Sequence, residues 1–450
     1  MSAGIEFENC DHSKDPIVGC ALEGIATTVA GIQDVSIVIH SPQGCASTVA
    51  AGYDVHEVDF TKRKVGCTRL FESDIVMGAS EKLKNLIKEA DKSFNSKVMF
   101  VVGTCAADII GEDIEALCKN LQPEINAKLV PMLAGGFRGN GYDGLNMGLE
   151  ALLPFIKKQE KTCDNRKRKR KSVNIIAPQA NINPTWWADL KWVTETLESL
   201  GIKVQSVFSH NTAFEDIENA GHASANIILS HDMGYKFAKK MQNTHDIPVI
   251  LNDIPLPIGV KNTTRWLRAL AEYFRVEKKV EPIIQKGEEM VVDTLRRRAL
   301  MIIPRYRNCR VAVSADGTIG IGLVRMLFEE LEMIPELLLF RSAMPEARGI
   351  LEQELQSMGI SPKVVFSADG YQIKNALEQV NTDAVLGSAW EKYMAEELDI
   401  KIAFDVFSPT NRETYLDKPY FGYEGMINMM EVIANDWERA FRSKHIHWTE

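Results

Sequence analysis

A chain of 450 residues is longer than one hydrophobic core usually serves, so two or three domains are expected. Hydrophobic residues make up 45% and charged residues 25%, ordinary values for a soluble globular protein. The 52 basic and 61 acidic residues leave a formal charge of −9, which excludes the net basic footprint of a nucleic-acid binder. No apolar run is long enough for a membrane span, and the opening MSAGIEFENCDHSKD lacks a signal peptide's apolar region. The expectation is a cytoplasmic protein with no membrane and no nucleic-acid partner.

Along the chain, short β-branched runs alternate with turns rich in Gly, Pro, Ser or Asn and with helical stretches. The runs predict strands at Val35–Ile39, Val98–Val102, Val173–Ile176, Asn226–Leu229, Val249–Leu251, Arg310–Val313, Lys363–Phe366 and Ala384–Leu386. Helices are predicted at Glu81–Ala90, Trp187–Leu200 and Pro345–Met358. Strands alternating with helices read as βαβ units, and runs that are apolar throughout read as parallel strands covered on both faces. The fold class is therefore α/β, with three Rossmann-like domains built on parallel sheets. The basic stretch Lys161–Ser172 reads as a solvated linker, and a weaker boundary falls at Leu295–Arg307. The domains are placed at residues 1–165, 172–300 and 305–450, the last ending in a helix.

Disulfides are rare in the cytoplasm, so the eight cysteines need another account. Cys118, in the helical EDIEALCKNL, and Cys309, opening the strand CRVAVSA, read as buried thiols. Cys163 lies in a polar stretch and reads as an exposed thiol. Cys10, Cys20, Cys45, Cys67 and Cys105 differ, because glycine or polar turn residues surround most of them. Cys45 follows the strand Val35–Ile39 on HSPQGC, and Cys105 follows the strand Val98–Val102 on GTC. Ligands of open α/β sheets bind outside the carboxyl ends of the strands, so these two thiols are delivered to one kind of place. Gly44 and Gly103 are expected to let backbone N–H groups approach the sulfurs. Cys20, in IVGCALEG, precedes an apparent helix whose dipole would stabilise a thiolate. On residues alone the set fits either a metal or cluster site or buried thiols. A structural zinc site fits poorly for want of a clear fourth ligand.

Other candidates are weaker. Val313–Val324 follows a strand with Gly317, Gly320 and Gly322, a helix start that suits an anion better than a dinucleotide. No GxxxxGK[ST] is present, so ATP hydrolysis would belong to a partner. Trp186, Trp187 and Trp192 read as packing, and Glu72 and Asp74 as capping residues on a solvated face.

The segment IVGCALEGIATTVAGIQDVSIVIHSPQGC resembles the opening of nitrogenase component 1 subunits. That family carries a His-Gly-x-x-Gly-Cys-type loop, where this chain has His40-Ser41-Pro42-Gln43-Gly44-Cys45. FESDIVMGASEKL, GTCAADIIGEDIEAL, GFRGNGYDGLNMG and Phe421-Gly422-Tyr423-Glu424-Gly425 resemble further family segments, from about residue 17 to residue 435. The resemblance implies that Cys20, Cys45 and Cys105 ligate an iron–sulfur cluster at a subunit interface, either an eight-iron [8Fe-7S] P-cluster or a [4Fe-4S] cluster. It implies an α-type component 1 subunit or a second copy of the chain as partner, and an ATP-dependent iron-protein reductase as electron source.

The same resemblance marks departures. Gly135-Gly136 stands where dinitrogen-reducing β-type subunits often have a serine ligand, and Cys67 aligns with a non-ligand position. Ser230, in LSHDMGY, falls near the place of the cysteine that holds the active-site cofactor in catalytic subunits, and the C-terminal segment lacks the matching histidine. His231 reads as a polar contact at the mouth of a sheet. The implied function is an electron-relaying oxidoreductase subunit whose active site lies in a partner, closest to the β-type subunit and to nitrogenase-like reductases. The alternative is a scaffold for assembly of the iron–molybdenum cofactor.

Overall fold

The computed structural model describes residues 7–9, 14–158, 171–178, 183–342, 345–412 and 416–445. The linker Lys161–Ser172 lies outside them except for its last two residues, and Cys10 and Cys163 lie outside them altogether. Three sheets, parallel throughout, organise the chain. The first has the order Val65–Cys67, Val35–His40, Val98–Gly103, Lys128–Leu133. The second runs Lys203–Phe208, Ser172–Ile176, Ala225–Ile228, Val249–Ile250. The third runs Phe7–Asn9, Lys363–Phe366, Ile334–Phe340, Arg310–Ala315, Ala384–Gly387, Ile402–Asp405. The expected α/β architecture with three parallel sheets is thus present. The central strands Val35–His40, Val98–Gly103 and Ser172–Ile176 are buried at every position, as helix-covered parallel strands must be.

Two features lie beyond the sequence reading. Phe7–Asn9, at the start of the chain, pairs with Val364–Phe366 in the third sheet, so the chain begins beside its own last third. The stretch Leu295–Arg307 is almost wholly the end of a 30-residue helix, Glu277–Tyr306, which carries the chain into the third sheet. The stretch given as a weaker boundary is thus helical along nearly all its length.

The first sheet presents its site through register. His40 pairs with Gly103, and Gly103 with Leu133, so the three strands end level and release three loops side by side. Beneath these loops the helices Ala21–Ala30 and Gly141–Glu150 cross at backbone contact. A Cβ on Gly144 would lie 1.9 Å from the Ala21 carbonyl oxygen, and one on Gly24 would lie 2.1 Å from the Gly141 carbonyl oxygen. No side chain fits between them, so glycine at both positions is a packing requirement. The crossing brings Cys20 into a β-bridge with Asn140, and Ala21 N donates to the Gly139 carbonyl at 3.0 Å.

Candidate functional site

Cys20 is the N-cap of Ala21–Ala30, in extended backbone, and its side chain makes no capping bond. The thiol therefore takes no part in capping its own helix. Cys45 lies in the first turn of Gln43–Val55, and Cys105 is the first residue of Cys105–Ile109, with Thr104 as N-cap. Both were expected on loops. The helices begin sooner, with Pro42 and Thr104 at the turn, and hold the thiols on the positive ends of the helix dipoles.

The three thiols converge. A Cβ on Gly136 would lie 3.6 Å from the Cβ of Cys20 and 3.8 Å from the Sγ of Cys105, which places this glycine between the two. Gly136 N donates to Cys105 Sγ at 3.0 Å. Cys45 is near enough to feel both: burial pushes its thiol up, hydrogen bonds from Thr104 and Ser41 oppose this, and the charges of Cys20 and Cys105 push it further up. Three neighbouring thiols are a donor set that a positively charged group would draw into the thiolate form. Cys20 and Cys45 are half-buried and Cys105 is exposed, so one side of the group is open.

Cys67 ends the strand Val65–Cys67 and turns to the backbone. Its Sγ lies 3.7 Å from the Ser41 carbonyl oxygen and accepts from Arg69 N at 3.4 Å. That is a local role beside the Cys45 loop. Cys118 and Cys309 are buried, and burial raises both thiols to about 12, as suits inert core residues. Among the described residues, no three His, Cys, Asp or Glu side chains group closely enough to hold a single metal ion.

The glycines act differently from the expectation. A Cβ on Gly44 would meet nothing within 4 Å, and one on Gly103 would strike Ile114 Cδ1 at 2.3 Å. Gly103 serves packing, and the backbone donor to sulfur is Gly136. The only available signal for it was the glycine pair in LAGGFRG.

Around the open side the chain exposes large apolar residues. Val76 is 80% exposed, Met77 85%, Ile109 74% and Phe137 64%, with Phe71 also exposed. Bonds from Ala79 N and Ser80 Oγ to the Glu112 carboxylate tie the first of these segments to the second. The Arg138–Asp108 ion pair ties the second to the third. These residues form one apolar rim beside Cys105, of the kind that marks a protein interaction face.

Other sites resolve simply. Asp74 accepts from Phe71 N at 2.8 Å and from Lys82 at 2.7 Å, a cap and a surface ion pair. Trp186 stacks on His56 and Trp192 tilts against Trp266, both as packing. The glycine-rich helix start at Gly317 holds no free anion cradle, because Asp316 and Asp232 take its N–H groups. His231 is buried and donates from Nε2 to the Asn252 carbonyl at 2.8 Å. Ser230 caps the helix His231–His245 through Met233 N.

Three parallel sheets covered by helices, with thiols gathered at the strand ends of the first, define the class of α/β fold. The family profile described as "Nitrogenase component 1 type Oxidoreductase" matches residues 20–438, and the chain belongs to that family. A nitrogenase iron-molybdenum cofactor biosynthesis protein NifE from Nostoc sp. is 25% identical, over 94% of this chain and 84% of its own length. A nitrogenase molybdenum-iron protein alpha chain from Methanothermobacter thermautotrophicus is 26% identical, over 91% and 86%. A nitrogenase vanadium-iron protein beta chain from Trichormus variabilis is 25% identical, over 96% and 95%. The solved structure "Nitrogenase Cp1 at pH 6.5" superposes with a TM-score of 0.78 over 100% of this chain and 99% of its own, at 18% identity, a likeness of fold. Among the described residues no helix is long and apolar enough to cross a membrane.

Proposed function

We propose that this chain is the electron-relaying subunit of a nitrogenase-like component 1 oxidoreductase. In this reading Cys20, Cys45 and Cys105 hold an iron–sulfur cluster, of [8Fe-7S] or [4Fe-4S] type, shared across an interface with an α-type subunit or a second copy of the chain. The observation that carries the reading is the convergence of the three thiols around Gly136, with one open side rimmed by apolar residues. The donor set fits a cluster. Thiolates are its ligands, and the Gly136 N–H lies on one of the sulfurs. Such a cluster supplies one-electron transfer at a potential set by burial and by hydrogen bonds to sulfur. The chain's own part is to orient the thiols and to bury them once a partner covers the rim.

The test is electron uptake. The complex, purified anaerobically with its partners, is expected to show a reduced-cluster signal by electron paramagnetic resonance only when the iron-protein reductase and MgATP are both present. Cluster reduction that is indifferent to the reductase would contradict the relay.

One observation favours a second reading, a scaffold for cofactor assembly. Ser230 stands near the place of the cofactor-bearing cysteine, and relatives named for cofactor biosynthesis are as similar as the nitrogenase chains. A complex that releases a preformed metallocluster to an acceptor protein, without turning over substrate, would select it.

A further inference from the structure

The three thiols do not share one environment. Cys20 lines a central cavity of about 1270 Å³, and Cys105 is exposed beside the apolar rim. Cys45 is half-buried, and two hydroxyl groups hold it from inside the chain. These belong to Ser41 and Thr104, which are 0% and 2% exposed. Register puts them side by side. His40 pairs with Gly103, so Ser41 and Thr104 are each the first residue past two strands that end level.

The backbone around each hydroxyl fixes its oxygen. Thr104 is the N-cap of Cys105–Ile109, yet its side chain makes no capping bond to that helix. Its Oγ1 lies 3.3 Å from the His40 carbonyl oxygen, to which Thr104 N also donates at 3.3 Å. Ser41 N donates to Thr68 Oγ1 at 3.0 Å, and Ser41 Oγ donates to the Pro42 carbonyl at 2.8 Å. The Cys67 sulfur lies 3.7 Å from Ser41 Oγ, but it has the Ser41 carbonyl and the Arg69 N–H as partners of its own. A hydroxyl carries one proton that swings about the C–O bond while the oxygen stays in place. A charged sulfur is a stronger acceptor than a neutral carbonyl. With Cys45 as a thiolate, both protons turn to its sulfur.

Hydrogen bonds to the sulfurs of a cluster help to set its potential. A donor on a ligating sulfur favours the reduced form, which carries one more negative charge. The Gly136 N–H on Cys105 is such a donor, but it is backbone and comes with the fold. Ser41 is different. The His-Gly-x-x-Gly-Cys-type loop that this segment resembles has glycine at the Ser41 position, and glycine has no hydroxyl. This donor is therefore an addition made by one side chain. Because Ser41 and Thr104 are both buried, water does not stand in for either hydroxyl.

We propose that Ser41 and Thr104 raise the reduction potential of the cluster by donating their hydroxyl protons to Cys45. The proposal rests on the cluster reading above, and adds which side chains set the driving force for electron uptake. Both act through Cys45 and are positioning residues. The step they govern is the transfer of one electron from the reduced iron protein. No bond forms or breaks, and the hydroxyl protons stay on their oxygens. A higher potential favours uptake from the reductase and disfavours onward transfer, so the two hydroxyls set the balance between them.

The test is a redox titration of the anaerobically purified complex, with a chemical reductant and mediators, followed by electron paramagnetic resonance. Ser41→Ala and Thr104→Val are each expected to shift the reduction equilibrium about tenfold toward the oxidised cluster, which is about 59 mV to lower potential. The double variant should shift further than either. Ser41→Thr and Thr104→Ser keep the hydroxyl and are expected to stay within about twofold of wild type. Unmoved midpoints in Ser41→Ala and Thr104→Val at full iron, or equal shifts in the variants that keep the hydroxyl, overturn the assignment. If Ser41→Ala loses iron, Ser41→Gly replaces it, and loss of iron from every hydroxyl-free variant would assign the hydroxyls to holding the cluster and overturn the proposal. No reductase enters the titration, so a cluster that the iron protein fails to reduce leaves its result standing. Iron-free wild type overturns the cluster reading and this proposal together, whereas unmoved midpoints at full iron overturn this proposal alone.

Discussion

Replacing Glu391 by alanine is expected to lower the stability of the chain by about 3–5 kcal/mol, the cost of a buried charge left unpaired. Arg341 and Glu391 are 5% and 1% exposed at the side chain, and their ion pair closes at 2.9 Å. Arg341 Nη2 reaches both carboxylate oxygens and the Ser388 hydroxyl, and Nη1 donates to the Ser408 carbonyl at 2.9 Å. Glu391 in turn accepts from Ser388 N at 2.7 Å and from Ser314 Oγ at 2.8 Å. Burial alone would raise its carboxyl. The Arg341 charge and these hydrogen bonds outweigh burial and hold it below the usual range. The network ties three strand ends of the third sheet, at Ser314, Arg341 and Ser388, beneath the central cavity. Denaturant unfolding measures the loss. In the double variant Arg341→Met/Glu391→Leu most of it should return, because no orphan charge remains. A loss under about 1 kcal/mol for Glu391→Ala would show that solvent reaches the pair.

Acid is expected to weaken the junction of the first and second sheets through His56. This ring is 2% exposed and stacks on Trp186 with centroids 4.9 Å apart. Its Nε2–H donates to the Ser209 carbonyl at 2.9 Å, and Nδ1 has no partner. Ser209 Oγ donates to the Thr28 carbonyl at 2.8 Å, so the contact pins the second sheet to the helix that Cys20 caps. Burial, with a smaller push from His210, depresses His56 to about 3, and burial depresses His210 to about 4. A depressed histidine binds its proton only in the unfolded chain. Its contribution is therefore complete above about 6.5 and is lost as pH falls toward the folded values.

By pH 5 each ring removes about 2 kcal/mol, from roughly 1.5 units at 1.36 kcal/mol each. Asp189 acts with the opposite sign, since burial raises it to about 6 despite four hydrogen bonds, and it favours the folded chain on acidification. The informative quantity is therefore a difference. Between pH 7 and pH 5, wild type is expected to lose about 2 kcal/mol more than His56→Gln in urea unfolding. Parallel losses would mean that the ring is protonated when folded.

Much of the architecture could be read from residues because parallel strands buried on both faces announce themselves as β-branched runs. Six strands among the described residues escaped, and three of them lacked that signal for a physical reason. Lys128–Leu133 contains Pro131 and is tolerated because it lies on an edge. Lys203–Phe208 is an edge strand with polar residues on its open face. Phe7–Asn9 takes its structure from a partner more than 350 residues away.

The site divides in the same way. Cys45 and Cys105 were placed by the strand-then-glycine pattern, a local signal. Gly136 was noted only as a missing serine, because its role comes from Leu133 ending level with Gly103. The Asp232–Asp316 pair left no trace in sequence, since its members are 84 residues apart and meet only where two sheets face each other. LSHDMGY was read for Ser230 and SADGT for an anion at its helix start, and neither reading pointed to the contact between their aspartates.

The central claim is that three thiols of this chain hold an iron–sulfur cluster. Its most direct test is iron and acid-labile sulfide, measured on the anaerobically purified complex from wild type and from Cys45→Ala. The account predicts brown wild-type protein with stoichiometric iron and sulfide, and a folded Cys45→Ala protein that has lost them. Iron-free wild-type protein after anaerobic reconstitution, or iron retained in full by Cys45→Ala, would contradict it.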